Sequence, residues 1–314
     1  MRHIYIIFLL FFSFSFSQVS VSRSHRGLFK DLKKEDYKEI KKRKTIFVID
    51  SFDEIKFEEM LKTFWDLNKY EVLSREKYEE NKEKYISEDY SIFEFSGLLV
   101  TITSQSGMTT EYLYLNYNYF YYTDVKVNNG KIKFDKTEVA SVFFSGDADS
   151  MWNIISTLKY GNLQNQLYNY QLGYMKNYLQ FIQKNLKDDW YSWTFASDYD
   201  KKVVKKLSKT TLYIPSYINT KYNGWDGTDT EREDPNELFK KYEYKYEWIS
   251  NEDLNNKILN TKEDFYYLMY TKINSSKLVS VVNGKTGEII YRDYQSMSYQ
   301  LKQKDLKEIN NKID

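Results

Sequence analysis

The chain has 314 residues, 46 of them Lys or Arg and 45 Asp or Glu, with no cysteine. A formal net charge of +1 provides no general basic surface for nucleic acid, and disulfides and thiolate ligands are excluded. With 41% hydrophobic and 18% aromatic residues, over a length that suggests about two domains, the fold must rest on ordinary hydrophobic cores.

The chain begins "MRHIYIIFLLFFSFSFSQ". Arg2 precedes an apolar run from Ile4 to Phe12, and small residues follow at Ser15 and Ser17. The run falls short of the roughly 20 residues a spanning helix needs, so residues 1–17 read as a secretory signal peptide cleaved near Ser17. We therefore expect an exported protein, periplasmic or secreted, with no stable membrane span. Residues 18–44 read as a basic helical segment ending in "KKRK" at Lys41–Lys44, a solvated helix end.

A first α+β module is expected over 45–145. "TIFVIDSF" from Thr45 is a buried strand, and Phe57, Met60, Leu61 and Phe64 then recur at helical spacing. "YEVLS" from Tyr70 is a second strand whose Ser74 caps the next helix, and "YSIFEF" from Tyr90 is a third. This β-α-β-α-β order implies parallel strands joined by right-handed crossovers. The aromatic run from Tyr112 reads as a strand buried on both faces, and Asn129-Gly130 as a turn.

A helical connector follows over 146–209. "SGDADS" reads as a turn before a helix, Leu163 to Ile182 as one long amphipathic helix, and "SDYDKKVVKKLSK" as a shorter helix capped by Asp198.

The second module, over 210–295, repeats the parts of the first. Thr45 returns at Thr210, an offset of 165; Tyr70-Glu71 returns at Tyr246-Glu247, an offset of 176; Glu88-Asp89-Tyr90 returns at Glu263-Asp264-Phe265, an offset of 175. Ser250 caps a helix as Ser74 does, and "NGKTGEIIY" closes the module as a hairpin. An insertion, "NTKYNGWDGTDTERED", separates the first two parts and ends in a helix start at Asp234-Pro235. Residues 296–314 read as a polar tail. The expected architecture is two related modules, each a small mixed sheet with helices on one face, joined by a helical segment.

The start ending in "SFSQ", the repeated strand–helix–"YE"–helix–strand unit and the closing "NGKTGEIIY" resemble the exported envelope proteins of Gram-negative bacteria that carry a duplicated βαβαβ-type module. The resemblance implies a fold type and an envelope setting, and brings no catalytic residue with it.

Only two histidines occur, His3 and His25, which leaves no parts for a Ser-His-Asp or Cys-His nucleophile or for the common zinc sites. No phosphate-cradling glycine motif is present, and we expect no cofactor and no metal. Carboxylate chemistry remains open. Trp225, Asp226 and Asp229 in the insertion have the composition of a sugar-binding or glycoside-cleaving site, against the alternative of an acidic surface loop. Two function classes follow: a non-catalytic protein that binds an envelope or secreted protein partner, or a carbohydrate-binding protein or carboxylate-based glycoside hydrolase.

Overall fold

In the computed structural model, residues 18–22, 31–104, 106–223 and 228–314 are described. The sequence expectations for the signal peptide, His25, Trp225 and Asp226 lie outside these residues. The fold is α+β, with nine α-helices and two six-stranded mixed sheets among the described residues.

The first sheet is built from β1 (Val19–Val21), β2 (Lys44–Ile49), β3 (Tyr70–Ser74), β4 (Tyr90–Thr103), β5 (Thr109–Asn128) and β6 (Lys131–Phe144). Its helices are α1 (Lys34–Lys42), α2 (Glu54–Lys62), α3 (Arg75–Glu80) and α4 (Lys82–Tyr85). The strand order is β1-β6-β5-β4-β2-β3, with β2 parallel to both β3 and β4 and the other pairs antiparallel.

One expectation is corrected here. The crossover from β2 to β3 and the return from β3 past β2 to β4 run in opposite directions, so right-handed connections place their helices on opposite faces. Phe57, Met60 and Leu61 of α2 join the main core, whereas Tyr78 and Tyr85 of α3 and α4 pack on Ile46, Val48 and Ile92 in a separate cluster behind the sheet. The helices are not confined to one face. Residues 18–44 are likewise not purely helical, since Val19–Val21 is the edge strand beside β6.

Three helices follow: α5 (Ala148–Thr157), α6 (Leu163–Gln166) and α7 (Leu172–Lys187). The single long helix expected from Leu163 is broken, because Leu167 bridges back to Gly146 and the Tyr168 amide donates to the Ser145 carbonyl at 3.0 Å. Helix α7 buries most of its circumference, including Tyr174, Met175, Tyr178, Leu179, Phe181 and Ile182. Each such side chain contributes about 1.5–3 kcal/mol of apolar burial. Its polar residues tie it to both halves: the Gln183 side chain accepts from the Asp66 and Leu67 amides, and Asn177 donates to the Gly284 carbonyl.

The second sheet contains β7 (Asp198–Tyr199) and β8 (Leu212–Pro215). After the small hairpin of β9 (Thr220–Tyr222) and β10 (Asp229–Glu231) come β11 (Tyr246–Ile249), α8 (Asn251–Asn260), β12 (Tyr266–Ile273), β13 (Ser276–Asn283), β14 (Ile289–Gln295) and α9 (Gln303–Ile313). Asp198 is part of β7 and caps no helix; Asp200 instead accepts from the Lys202 and Val203 amides ahead of a short 3-10 turn. The tail expected over 296–314 contains α9, whose Leu306, Ile309 and Ile313 are buried in the core.

The order of the second sheet, β11-β8-β12-β13-β14-β7, matches the first strand for strand and sense for sense. The row Glu71–Ile46–Ile92–Phe120–Glu138 has its counterpart in Glu247–Tyr213–Tyr267–Val282–Ile289. Both rows flank a bulge, at Tyr119/Phe120 and at Val281/Val282. The pairings equate Thr45 with Leu212, so the offset of the first strand is 167 and not the 165 suggested by matching Thr45 to Thr210.

Candidate functional site

The insertion turns back on itself as β9 and β10, and Asp229 is held at its base. Its carboxylate accepts from the Tyr168 hydroxyl, and one oxygen lies 3.8 Å from Lys272 Nζ, with both charged side chains about nine-tenths buried. Lys272 also lies over the Tyr222 ring, 3.5 Å from its centroid. Burial lowers the pKa of the Lys272 amine, and the Asp229 charge pulls it back up. The structure thus brings Asp229 to an anchoring cluster of a cation and two tyrosines. A hollow of about 680 Å³ beside the hairpin is lined by Glu231, Glu233, Asp234 and Glu237 together with Lys221, Arg232 and Lys302, and among the described residues none of its lining side chains is aromatic. Asp234 caps the 3-10 turn that starts at Pro235, and Asp147 caps α5 through the Ser150 amide. Among the described residues, no group of three or more His, Cys, Asp or Glu side chains is placed to hold a metal ion.

A second region was not singled out by sequence. At the C-terminal ends of the parallel strands β2 and β3, a crevice of about 640 Å³ is lined by Asp50, Arg75, Glu79, Glu94, Phe95 and Tyr160, among others. Ligand sites in open α/β sheets lie at this end of the strands. Arg75 donates to both oxygens of Asp50, at 3.1 and 2.8 Å, to Glu94 at 3.3 Å and to the Phe95 carbonyl at 2.8 Å. Burial pushes the Asp50 carboxyl up, and Arg75 pulls it back part of the way. Burial would lower the pKa of Arg75, yet the hydrogen bonds and charge of Asp50 more than reverse this, so the guanidinium stays charged.

The crevice lies beside a stretch of exposed apolar residues. Beyond Phe93, β4 pairs with no described strand on the β2 side, and together with β5 it forms a two-stranded arm. Leu98, Leu99, Ile102 and Met108 are exposed on this arm, Met108 at 67%, and Trp152 and Leu158 of the adjoining α5 segment are exposed as well. Helix α5 sits on the base of the arm, with Ile155 against Gly97. The only sequence signal was a run without charge from Phe95 to Thr110.

Buried tyrosines are a building material of the core. Tyr117 and Tyr170 are fully buried and donate to the Val48 and Asp50 carbonyls, both at 3.3 Å. Comparison with protein-family models, with curated proteins and with solved structures found no match.

Proposed function

We propose that the chain is an exported, non-catalytic protein that binds a protein partner in the cell envelope, and that its two sheets arose by duplication of one module. The observation that carries the binding reading is the arm. An exposed, uncharged strand edge is a liability that proteins normally blunt with charge, proline or a covering segment; over Leu98–Thr103 the sequence has no charge or proline, and no described strand pairs on that side. Apolar patches of this kind mark interaction sites. Duplication is supported by the matched strand order, the matched rows and the shared bulge, since bulges are specific features of a fold. Export is supported by the signal-like first 17 residues.

The carbohydrate alternative is less well supported. Asp229, the one member of that site among the described residues, is engaged by Lys272 and Tyr168.

Cross-linking in intact cells, followed by purification of a C-terminally tagged chain and mass spectrometry, tests the proposal. The expected result is one stoichiometric envelope protein cross-linked to residues of the arm and lost in Ile102→Asp. Recovery of the chain alone would overturn it, and glycan binding with Trp225→Ala as control would then be the next measurement.

A further inference from the structure

We infer that the outer edge of β4 is completed by an extended, uncharged segment of the partner protein, which enters as an added strand and carries a cationic side chain at one end into the crevice beside Asp50. This rests on the protein-binding reading and specifies how the partner is held.

Hydrogen-bond parity defines the edge. The Phe95 carbonyl meets Arg75 on the outer side of β4, and the Leu113 amide and carbonyl meet the Asn274 side chain on the far side of β5. Leu99 pairs with Leu113. In an antiparallel ladder the outward residues alternate, so the backbone groups of Leu99, Thr101 and Thr103 also face outward. Among the described residues, none of these three has a backbone partner on that side.

The second sheet shows what covers such an edge. Tyr270 and Lys272 stand where Phe95 and Gly97 stand in the first sheet, at the offset of 175 set by the strand pairings. There the chain supplies its own cover: the Tyr217 hydroxyl donates to the Tyr270 carbonyl at 3.1 Å and accepts from the Tyr270 amide at 3.0 Å, while Lys272 is held by Tyr222 and Asp229 of the inserted hairpin. The first module has no insertion at this point: Arg75 meets the Phe95 carbonyl and Tyr160 the Gly97 backbone, and beyond Gly97 no described residue bonds the outward backbone groups, which are left for a chain from elsewhere. Main-chain bonds from an added strand supply affinity in this mode, and the side-chain pockets along the edge select the sequence.

The chemistry of the segment follows from its surroundings. The run from Phe95 to Thr110 has no charge to pair with, which favours an uncharged strand. The crevice at its inner end gathers the carboxylates of Asp50, Glu76, Glu79 and Glu94 around Arg75, with Lys82 2.9 Å from Glu79 and Lys136 3.8 Å from Glu94, so four negative charges face three positive ones. That imbalance favours a Lys or Arg side chain, and Phe52, Leu158 and Tyr160 give its stem apolar walls.

The test uses the full chain and a labelled synthetic peptide of about eight residues, the length of an ordinary strand, alternating valine and threonine with one terminal lysine. Anisotropy titration is expected to show binding, and Thr101→Pro to weaken it by about tenfold, because proline removes the outward donor while leaving the β4–β5 ladder intact. Amide exchange at Leu99, Thr101 and Thr103 of the unmodified chain should slow when the peptide is added. Replacing the terminal lysine with glutamate should weaken binding, and added salt should narrow the difference. Equal affinity for the Thr101→Pro chain, unchanged exchange at the three amides, or no binding at all would each overturn strand addition. If the cellular partner is still captured by Thr101→Pro, the protein-binding reading survives and only the mode falls.

Discussion

The same place in the two sheets is closed in two different ways. Five residues on from Thr45 and from Leu212, just past the ends of β2 and β8, stand Asp50 and Tyr217. Tyr217 is a neutral plug whose hydroxyl satisfies both backbone groups of Tyr270, so the edge beyond β8 is sealed. Asp50 acts through Arg75, which reaches the Phe95 carbonyl but belongs to a charged cluster with Glu79 and Glu94. An aromatic ring fills space; an ion pair needs polar surroundings and keeps a crevice open. The lesson is that sheets of the same strand order can meet the same backbone position with a neutral ring or with a charged cluster.

The largest expected effect comes from breaking the charged version. Arg75→Met leaves Asp50 nearly buried without its cation, and removing one partner of such a pair costs about 3 kcal/mol. Without the pull of Arg75, the Asp50 carboxyl rises further above its unfolded value, so the folded chain holds that proton more tightly. The penalty should be full above the raised folded pKa and shrink as pH falls toward the unfolded one. Urea unfolding of the variant at neutral and acid pH would show this, and an equal deficit at both would contradict it.

Breaking the neutral version should cost less. Tyr217→Phe keeps the ring stacked on Tyr168, with centroids 5.6 Å apart, but strips the hydroxyl from Tyr270 and leaves its buried amide unpaired, a loss of about 2 kcal/mol. The same variant should speed amide exchange at Tyr270 while leaving Phe95 untouched. Faster exchange in both sheets would mean that the closures are coupled through α7.

Much of this fold could be read from the sequence, and the misses have physical causes. The capping serines and the apolar stripe of α2 are local signals, and Ser74 and Ser250 do accept from Lys77 and Asp253. Asn129 and Gly130 take the left-handed turn conformation, with φ of 49° and 72°. Sequence similarity aligns Thr45 with Thr210 whereas the strand pairings align it with Leu212, a shift of two that keeps every side chain on its own face. The placement of helices on both faces depends on strand order, which no single segment carries. The crevice combines Asp50 and Arg75, each just past the end of its strand, with Glu94 from within β4. The open edge arises because β2 stops at Ile49 while β4 runs on to Thr103, a fact about two strands at once. Of the sequence-derived site, only Asp229 falls among the described residues, and its burial against Lys272 came from tertiary packing that its acidic neighbours concealed.

The smallest effect sharpens the comparison at a matched pair of positions. Glu138 occupies in the first sheet the place that Ile289 occupies in the second, each beside the bulge in its row. Burial raises the Glu138 carboxyl from 4.5 to about 7, against the opposing charge of Lys136. A carboxyl whose folded pKa lies above its unfolded value weakens the fold as pH rises through that interval, and the cost levels off above it. Glu138→Ile should therefore gain about 1–2 kcal/mol at pH ~8, with allowance for partial solvent contact, and only the packing difference at pH ~4. Urea unfolding of the two chains across that range should give curves that diverge between these limits. Parallel curves would mean that Glu138 ionises freely and that this row, unlike its partner in the second sheet, is open to water.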